Sequence, residues 1–227
     1  MPFPGLSARV QEIQGRVAAA VGRGGHGQQV ELVAVTKTYG PEAVEAAFAA
    51  GIRAVGENRV QEALDKMAQV QCAAEWHLIG HLQRNKARHA GKFALIHSMD
   101  SARLADALAA EGTSRGDPVP VLVQVNTSGE SSKGGFTLSD LASEGPRLAA
   151  SGGLRVRGVM TMAPFDASET VLRDVFRGAR EARAALQQAG HVEATELSMG
   201  MSGDFEIAVE EGATMIRLGT ILFGARA

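Results

Sequence analysis

The feature of this 227-residue chain that most constrains its fold is a regular alternation of short apolar runs with amphipathic segments of helical period. Eight apolar runs fall near residues 31–36, 52–56, 76–79, 93–97, 119–125, 154–160, 194–198 and 213–218. Such runs are typical of strands buried on both faces of a parallel sheet, and the segments between them fit helices packed on that sheet. Eight βα units in about 200 residues favour a barrel over an open doubly wound sheet. We therefore predict an α/β fold, a single (β/α)8 barrel of the TIM type that forms one domain over residues 1–227.

An extra helix is predicted before the first strand. Apolar residues recur there at intervals of three or four, at Leu6, Val10, Ile13, Val17 and Val21. This spacing places them on one helix face, so we expect the helix to lie outside the barrel and cover it.

Glycines and short polar residues predict where several helices end and begin. Four glycines follow helical stretches and precede strands, where a left-handed C-cap is expected: Gly51, Gly112, Gly190 and Gly212. Two pairs have the spacing of a capping box at a helix start: Thr137 with Asp140, and Asp166 with Glu169.

Composition excludes several classes of function. The 23 basic and 25 acidic residues give a net charge of −2, so the chain lacks the basic surplus expected of a nucleic-acid-binding protein. The single cysteine, Cys72, excludes an internal disulfide. No signal-like start and no apolar window of about 18 residues is present, so we expect a soluble, cytoplasmic protein without a membrane span.

Lys37 closes the apolar run 30–36, so a primary amine stands at the end of a predicted buried strand. A buried ammonium is unfavourable unless its charge is offset or lost. A lysine that points from a strand end into a pocket is partly desolvated, and its neutral amine can attack an aldehyde to form an imine. The alternative is a lysine that only caps the strand.

Polar residues at the predicted strand ends are the first candidates for a functional site, because active sites of TIM barrels lie at the carboxyl ends of the strands. Nearly every strand supplies one or two: Lys37, Glu57, Asn58, His81, Ser98, Asn126, Met162, Ser198 and Arg217. We expect these side chains to converge on one opening.

Two glycine-containing loops follow the seventh and eighth runs, where barrels of this type often bind phosphate. The first, 198–204, contains Ser202, and the second, 217–220, contains Gly219 and Thr220. Glycines let a ligand approach the backbone, and hydroxyls add donors. Each loop alone fits an ordinary turn, but the pair together with an imine-forming lysine indicates a phosphorylated aldehyde. A sugar phosphate and pyridoxal 5′-phosphate both meet this description.

Arg217 stands two residues before Gly219, so both share one face of the last strand. An inward arginine there either donates to a heteroaromatic nitrogen or forms an ion pair with a carboxylate such as Glu57. A metal site is a weaker alternative. His77 and His81 are four residues apart, but they span a predicted strand end, and no cysteine cluster or HExxH pattern accompanies them.

Seven segments carry a resemblance to a known family: Ala34–Lys37, Gly56–Ala63, Trp76–Lys86, Ile96–Asp100, Gln124–Asn126, Leu197–Ser202 and Arg217–Thr220. In this collinear order they closely resemble the pyridoxal phosphate homeostasis protein family. The likeness covers nearly the whole chain and is far more specific than any single motif.

The resemblance implies a barrel related to the N-terminal domain of alanine racemase, with pyridoxal 5′-phosphate held as a Schiff base on Lys37. It also implies that Arg217 hydrogen-bonds the pyridine nitrogen. The remaining matches are phosphate-holding positions and positions near the cofactor: Ser202, Gly219 and Thr220 for the phosphate, and Asn58, Ser198 and Met199 nearby. The family often has proline three residues after the lysine, whereas Pro41 comes one residue later, which leaves the start of the next helix open.

For function, the resemblance implies intracellular homeostasis and carriage of the cofactor, with transfer to apo-enzymes and no substrate turnover. A charged arginine beside the pyridine nitrogen disfavours its protonation and weakens the ring as an electron sink. No β-rich domain follows the last predicted strand, so we expect a monomer that lacks the tyrosine such enzymes receive across a dimer. Two alternatives stay open: a weak racemase-like enzyme with His81 or Tyr39 as proton donor, and a lysine-dependent sugar-phosphate aldolase.

Overall fold

The computed structural model describes residues 3–130 and 134–224, in which eight parallel strands close into a barrel. The strands are β1 (Glu31–Val35), β2 (Ala54–Glu57), β3 (Glu75–Leu78), β4 (Leu95–Met99), β5 (Val119–Gln124), β6 (Leu154–Met160), β7 (Glu196–Ser198) and β8 (Met215–Leu218). The α-helices are α1 (Leu6–Gly24), α2 (Pro41–Ala49), α3 (Val60–Met67), α4 (Ala102–Arg115), α5 (Leu138–Ala149), α6 (Glu169–Gln188), α7 (Phe205–Glu210) and α8 (Thr220–Phe223). Every apolar run of the sequence overlaps one strand, so the predicted (β/α)8 architecture is confirmed. That residues 1–227 form one domain stays a prediction.

Each strand pairs in parallel with the next, and β8 pairs with β1 to close the barrel. Val33 shows the closure, since its partners are Ala54 of β2 on one side and Arg217 of β8 on the other. Because all strands are parallel, their carboxyl ends meet at one end of the barrel. Lys37 and the other residues that follow the strands therefore share that end.

The barrel interior changes from apolar to polar within two residues along the strands. A small cluster of buried side chains fills the deeper layer: Leu95, Leu122, Met160 and Met215. Strand side chains alternate with a period of two, so the next inward positions toward the carboxyl ends follow from the sequence: His97, Gln124, Met162 and Arg217. Three of these four residues, His97, Gln124 and Arg217, are polar and rest on an apolar floor, whereas Met162 packs against that floor.

Helix α1 lies outside the barrel, as predicted, and packs on α7 and α8. Its buried face consists of five apolar residues: Leu6, Val10, Ile13, Val17 and Ala20. Burial of each large aliphatic side chain on this face contributes about 1.5–3 kcal/mol. Val21, which the spacing also placed on this face, is only partly buried, and Ala20 takes its position.

One predicted capping box is confirmed and the other is wrong. At the start of α5, the Asp140 N–H donates to Thr137 Oγ1 (3.1 Å) and the Thr137 N–H donates to Asp140 Oδ2 (2.7 Å). At the start of α6, the N-cap is Ser168, whose Oγ accepts from the Val171 N–H (3.5 Å). Asp166 lies outside the helix with a φ of 56°. The spacing from Asp166 is that of a capping box, but Ser168 stands directly before the first helical residue and takes the role.

Three of the four predicted glycine caps are confirmed, with positive φ of 91°, 105° and 92°: Gly51, Gly190 and Gly212. Gly112 was predicted wrongly, since it lies inside α4, which is capped by Gly116 at a φ of 68°. A Cβ at position 112 would overlap the carbonyl oxygen of Gly153. This glycine therefore allows α4 to approach the start of β6 closely.

The connection between β3 and β4 carries a 3₁₀ helix, Arg84–Lys92, where the other βα units carry an α-helix. Its Arg84 and Arg88 side chains are exposed, which agrees with a solvated basic surface. Among the described residues, no helix is both long and apolar enough to cross a bilayer.

Candidate functional site

A cavity of about 1000 Å³ opens at the carboxyl ends of the strands. Six of the eight residues predicted for the site line it: Lys37, Asn58, Ser202, Arg217, Gly219 and Thr220. The loops after β3, β4 and β6 add His81, Asp100 and Met162. The barrel therefore brings together most of the predicted site.

The other two predicted residues, Ser198 and Met199, are fully buried, at 0% exposure. Ser198 lies below the cavity and contacts Arg217. Met199 packs in the main hydrophobic core, because alternation along the chain turns it away from the face that Ser198 occupies. The structure does not bring Met199 to the cavity.

Three further residues at strand ends do not line the cavity within the described part of the chain: Glu57, Ser98 and Asn126. Ser98 Oγ donates to the Gly80 carbonyl (2.6 Å), and Asn126 Nδ2 donates to the Glu130 carbonyl (2.8 Å). These two side chains shape the loops around the cavity, whereas Glu57 faces outward from β2 and pairs with Lys66 of α3.

Lys37 is half-buried and sits in a tight turn directly after β1. The Tyr39 N–H donates to the Thr36 carbonyl (3.1 Å), which closes a four-residue turn with Lys37 and Thr38 at its centre. Thr38 has a φ of 69°, a left-handed backbone that is unfavourable for a β-branched residue. The turn that presents the amine is therefore strained.

A buried ionic cluster holds this turn. Lys66 Nζ donates to the Thr36 carbonyl (2.8 Å), to Glu57 Oε1 (2.7 Å) and to Glu62 Oε1 (2.9 Å). Glu62 Oε1 also accepts from the Thr38 N–H (2.6 Å), and Thr36 Oγ1 donates to Glu57 Oε1 (2.6 Å). We call Thr36, Glu57, Glu62 and Lys66 the Lys66 cluster. It ties Thr36 directly, and Thr38 through Glu62, to one ammonium.

The two carboxylates of the Lys66 cluster differ in their surroundings. Burial raises the pKa of Glu57, against the hydrogen bonds from Lys66 and Thr36. Burial opposes ionisation of Glu62 as well, but its hydrogen bonds from Lys66 and the Thr38 N–H outweigh this and lower the pKa of Glu62. Glu57 Oε2 is buried and has no hydrogen-bond partner among the described residues.

Arg217 lies near the carboxyl end of β8, at the base of the cavity, and is only 5% exposed. Its Nη1 donates to Ser198 Oγ (2.6 Å), and its Nη2 donates to the Thr161 carbonyl (2.9 Å). Burial lowers the pKa of Arg217 to about 10, which still leaves the guanidinium charged at neutral pH. The alternative ion pair with Glu57 is wrong, because Glu57 pairs with Lys66.

Two buried histidines continue the contacts below Arg217. His97 Nδ1 lies 2.8 Å from Ser198 Oγ, and His97 Nε2 lies 3.0 Å from His77 Nδ1. Burial lowers the pKa of His77 to about 4 and holds the pKa of His97 well below its ordinary value. Both rings are therefore neutral at neutral pH.

The metal alternative based on His77 and His81 is wrong, because the two side chains have different partners. His77 faces His97 in the barrel interior, whereas His81 Nδ1 lies 2.9 Å from Asp100 Oδ2 at the cavity mouth. Over residues 3–130 and 134–224, no group of three histidine, cysteine, aspartate or glutamate side chains could hold a metal ion.

The two loops assigned to a phosphate line the cavity, and Ser202 Oγ joins them by accepting from the Ile221 N–H (3.4 Å). Their glycines at 203 and 219 are not required by contacts within the protein. A Cβ on Gly203 would meet no atom within 4 Å, and one on Gly219 would reach only ordinary van der Waals contact, at 3.5 Å. A ligand that approaches the backbone closely accounts for glycine at both positions. The residues present therefore fit a phosphate group.

Comparisons with known proteins agree with this geometry. The alanine racemase N-terminal domain family matches residues 10–227. A protein of Aquifex aeolicus named pyridoxal phosphate homeostasis protein is 39% identical over 96% of this chain and 97% of its own length. A protein of the same name from Escherichia coli K12 is 37% identical over 97% of both chains. This chain belongs to the pyridoxal phosphate homeostasis protein family.

Solved structures of similar proteins contain the same barrel. PipY of Synechococcus elongatus, without pyridoxal phosphate, is 38% identical over 96% of this chain and 100% of its own, with a TM-score of 0.87. The structure of PipY with pyridoxal phosphate bound has a TM-score of 0.85. Alanine racemase of Corynebacterium glutamicum, at 17% identity and a TM-score of 0.76, shares the fold over 61% of its chain.

The two residues considered as proton donors lie in different surroundings in this family member. His81 lines the cavity beside Asp100, and its side chain is 69% exposed. Tyr39 packs against the rings of Phe3 and Phe223, with centroids 5.7 and 5.2 Å away, and its hydroxyl donates to a backbone carbonyl. Tyr39 is not among the described residues that line the cavity.

Sequence reasoning missed two residues that support the site: Lys66 on the outer helix α3, and His97 inside the barrel on β4. A signal existed for each. Lys66 follows Glu62 by four residues on α3, a spacing that allows an ion pair on one helix face. His97 follows Leu95 by two residues on β4, which places both on the inward face.

Proposed function

We propose that this protein binds pyridoxal 5′-phosphate covalently through Lys37 and serves intracellular homeostasis and carriage of the cofactor, without turning over a substrate. The observation that carries the proposal is the convergence of a strand-end amine, a buried cationic arginine and two open glycine loops on one cavity. The PipY structure with pyridoxal phosphate bound, 38% identical to this chain, supports it.

When bound, pyridoxal 5′-phosphate supplies an aldehyde that condenses with a primary amine. Lys37 would provide that amine from the turn after β1, and Asn58 would contact the cofactor from the next loop. Ser202, Gly219 and Thr220 would hold the phosphate through hydroxyl and backbone donors. Arg217 carries only donors, so it favours an unprotonated ring nitrogen.

The surroundings of the cavity favour holding the cofactor over turnover. An unprotonated ring nitrogen makes the ring a weaker electron sink. Tyr39 packs between aromatic rings and does not line the cavity. A weak racemase-like activity is the second candidate, because His81 lines the cavity and is oriented by Asp100 at 2.9 Å, as a general base requires.

Titration of the purified protein with pyridoxal 5′-phosphate tests binding. We expect an absorbance change that borohydride makes permanent, with the label located on Lys37 by peptide mass spectrometry. Lys37→Ala should lose the label, whereas Lys92→Ala, which removes an exposed lysine, should label like the wild type. Absence of binding by the wild type, or an equal label on Lys37→Ala, would contradict the proposal.

Mixing the loaded protein with an apo-enzyme that requires the cofactor tests carriage. Activation of the apo-enzyme should persist when a trap removes free aldehyde from solution. If the trap abolishes activation, the protein stores the cofactor but does not deliver it. We further propose a monomer, which light scattering on the same samples should show as the mass of one chain.

Racemisation assays with single amino acids separate the two candidates. We expect rates no higher than those of free pyridoxal 5′-phosphate. A rate well above the free cofactor that falls in His81→Ala would promote the enzymatic function.

A further inference from the structure

The hydrogen bonds below Arg217 can be assigned a direction from chemistry alone. A guanidinium has five N–H donors and no acceptor, so Arg217 Nη1 must donate to Ser198 Oγ (2.6 Å). The Ser198 hydroxyl hydrogen must then point to another group. Among the described residues, the only other partner of Ser198 Oγ is His97 Nδ1, at 2.8 Å.

His97 Nδ1 must therefore accept a hydrogen bond. If His97 Nδ1 carried the proton, the buried Ser198 hydroxyl would have no acceptor, which is unfavourable at 0% exposure. A neutral imidazole with a lone pair on Nδ1 carries its proton on Nε2. A cationic ring would have protons on both nitrogens and is excluded by the same contact.

The same reasoning fixes which ring nitrogen donates in the hydrogen bond between His97 and His77. His97 Nε2–H faces His77 Nδ1 at 3.0 Å, so His77 Nδ1 must be the acceptor and the His77 proton must lie on Nε2. Every bond from Arg217 to His77 thus runs one way, away from the cavity. We call Ser198, His97 and His77 the histidine relay.

We propose that His97 is a positioning residue for Arg217: by accepting from the Ser198 hydroxyl it orients Ser198 Oγ as the acceptor of Arg217 Nη1, and so fixes how the guanidinium faces the cavity. The Thr161 carbonyl holds Nη2 at 2.9 Å, so the relay fixes the second of two anchoring points. With Nη1 and Nη2 anchored on acceptors of the protein, the remaining N–H groups of Arg217 are available to the cavity, which it lines.

This inference deepens the proposed function, and its consequence for the bound cofactor rests on that function. A donor fixed at the cavity wall selects an acceptor, so the ring nitrogen of the bound cofactor stays unprotonated. The two neutral histidines add no positive charge of their own beneath Arg217. In a reversed relay, His97 Nδ1–H would donate to the second lone pair of Ser198 Oγ, and the buried Ser198 hydroxyl hydrogen would have no acceptor.

The first test uses the protein without cofactor and is independent of the proposed function. Long-range ¹⁵N–¹H correlation spectra of histidine-labelled protein at neutral pH should show His97 and His77 as neutral rings protonated on Nε2. In Ser198→Ala the His97 ring should lose this single tautomer, while His191, bonded to the Gly145 carbonyl, should keep its wild-type signals. A cationic His97, or a proton on its Nδ1, would overturn the relay.

The second test follows the ring nitrogen of pyridoxal 5′-phosphate labelled with ¹⁵N. Its shift should report an unprotonated nitrogen in the wild type and in His97→Asn, whose side-chain oxygen can still accept from Ser198. Ser198→Ala should move the shift toward the protonated value. An unchanged shift in Ser198→Ala overturns the positioning role.

If Ser198→Ala does not fold, His97→Phe, which removes the acceptor, replaces it with the same expected result. If the wild type binds no cofactor, the proposed function fails while the tautomers still decide the relay.

Discussion

The two sides of the cavity are supported in different ways. On the Lys37 side, the Lys66 cluster lies between α3 and the ends of β1 and β2; it is ionic and holds a backbone turn through one ammonium and two carboxylates. Below Arg217, the histidine relay is neutral and holds a side chain through hydrogen bonds whose direction is fixed. The first support resists movement of the chain, and the second resists rotation of a guanidinium.

The difference fits the task that the proposed function gives to each side. Lys37 needs a position, which a strained turn gives only if strong contacts hold it. Arg217 needs a defined electrostatic effect on its neighbour, and an added buried charge beneath it would alter that effect. An ionic support suits the first task and a neutral support suits the second.

The largest difference should appear in stability after one partner is removed from each support. Lys66→Met leaves two carboxylates around an uncompensated site and should cost about 3–5 kcal/mol of unfolding free energy. Ser198→Ala leaves hydrogen-bonding groups unpaired and should cost about 1–3 kcal/mol. Urea unfolding measures both, with Lys92→Met as the exposed control, expected within about 0.5 kcal/mol of the wild type. Equal losses of unfolding free energy in Lys66→Met and Ser198→Ala would contradict the proposed difference between the ionic and the neutral support.

Lowering the pH should reduce the unfolding free energy through the histidine relay. Burial holds the pKa of His77 at about 4, below its ordinary value of 6.5, so between these values the unfolded chain binds more protons than the folded chain. The contribution to stability is complete above the unfolded pKa and is lost as the pH falls toward the folded one, by up to about 3 kcal/mol for this histidine. Urea unfolding at stepped pH measures the slope, which should flatten in His77→Gln. A slope as steep as that of the wild type would show that His77 is not responsible.

Glu57 in the Lys66 cluster should respond with the opposite sign. Burial raises the pKa of Glu57 above its ordinary value of 4.5. Its contribution is therefore present below 4.5 and is lost as the pH rises through the folded value. In Glu57→Gln that loss should be absent from the pH profile of stability, whatever the substitution does to the absolute value. Parallel profiles of Glu57→Gln and the wild type would contradict this assignment.

Sequence reasoning succeeded for features set by local pattern and failed where partners are distant along the chain. Strand periodicity was sufficient to place Lys37 and Arg217 at the same end of the barrel. It could not reveal that His97 meets Ser198, 101 residues away, or that Lys66 reaches the Thr36 carbonyl, 30 residues away. Such contacts depend on barrel closure and register, which no single segment encodes.

Met199 shows a second limit, because family resemblance predicts that a residue is near the cofactor but not which way its side chain points. The period of two along β7 turns Ser198 inward and Met199 into the outer core. A prediction that combined the resemblance with this alternation would have kept Ser198 and dropped Met199.

A moderate effect should come from loosening the turn without removing the ammonium. Glu62→Ala deletes the acceptor of the Thr38 N–H and one partner of Lys66, and should cost about 1–2 kcal/mol because the carboxylate is partly exposed. Hydrogen exchange should accelerate at the Tyr39 amide, which closes the turn, and stay unchanged at the Arg217 amide, which donates to the Gly200 carbonyl. Acceleration at both amides would mean that the two supports are coupled.

The smallest effect should come from relieving the strain itself. The left-handed backbone at Thr38 costs about 1–2 kcal/mol, while glycine there would lose about 0.5–1 kcal/mol of chain entropy on folding. Thr38→Gly should therefore raise the unfolding free energy slightly, by up to about 1 kcal/mol, and Thr38→Ala, which keeps a Cβ, should gain less. If the strain serves to aim Lys37, Thr38→Gly will bind pyridoxal 5′-phosphate more weakly although it is more stable, because a glycine lets the turn sample other conformations. Unchanged affinity in the stabilised variant would show that the Lys66 cluster alone aims the amine and that the strain at Thr38 has no part in it.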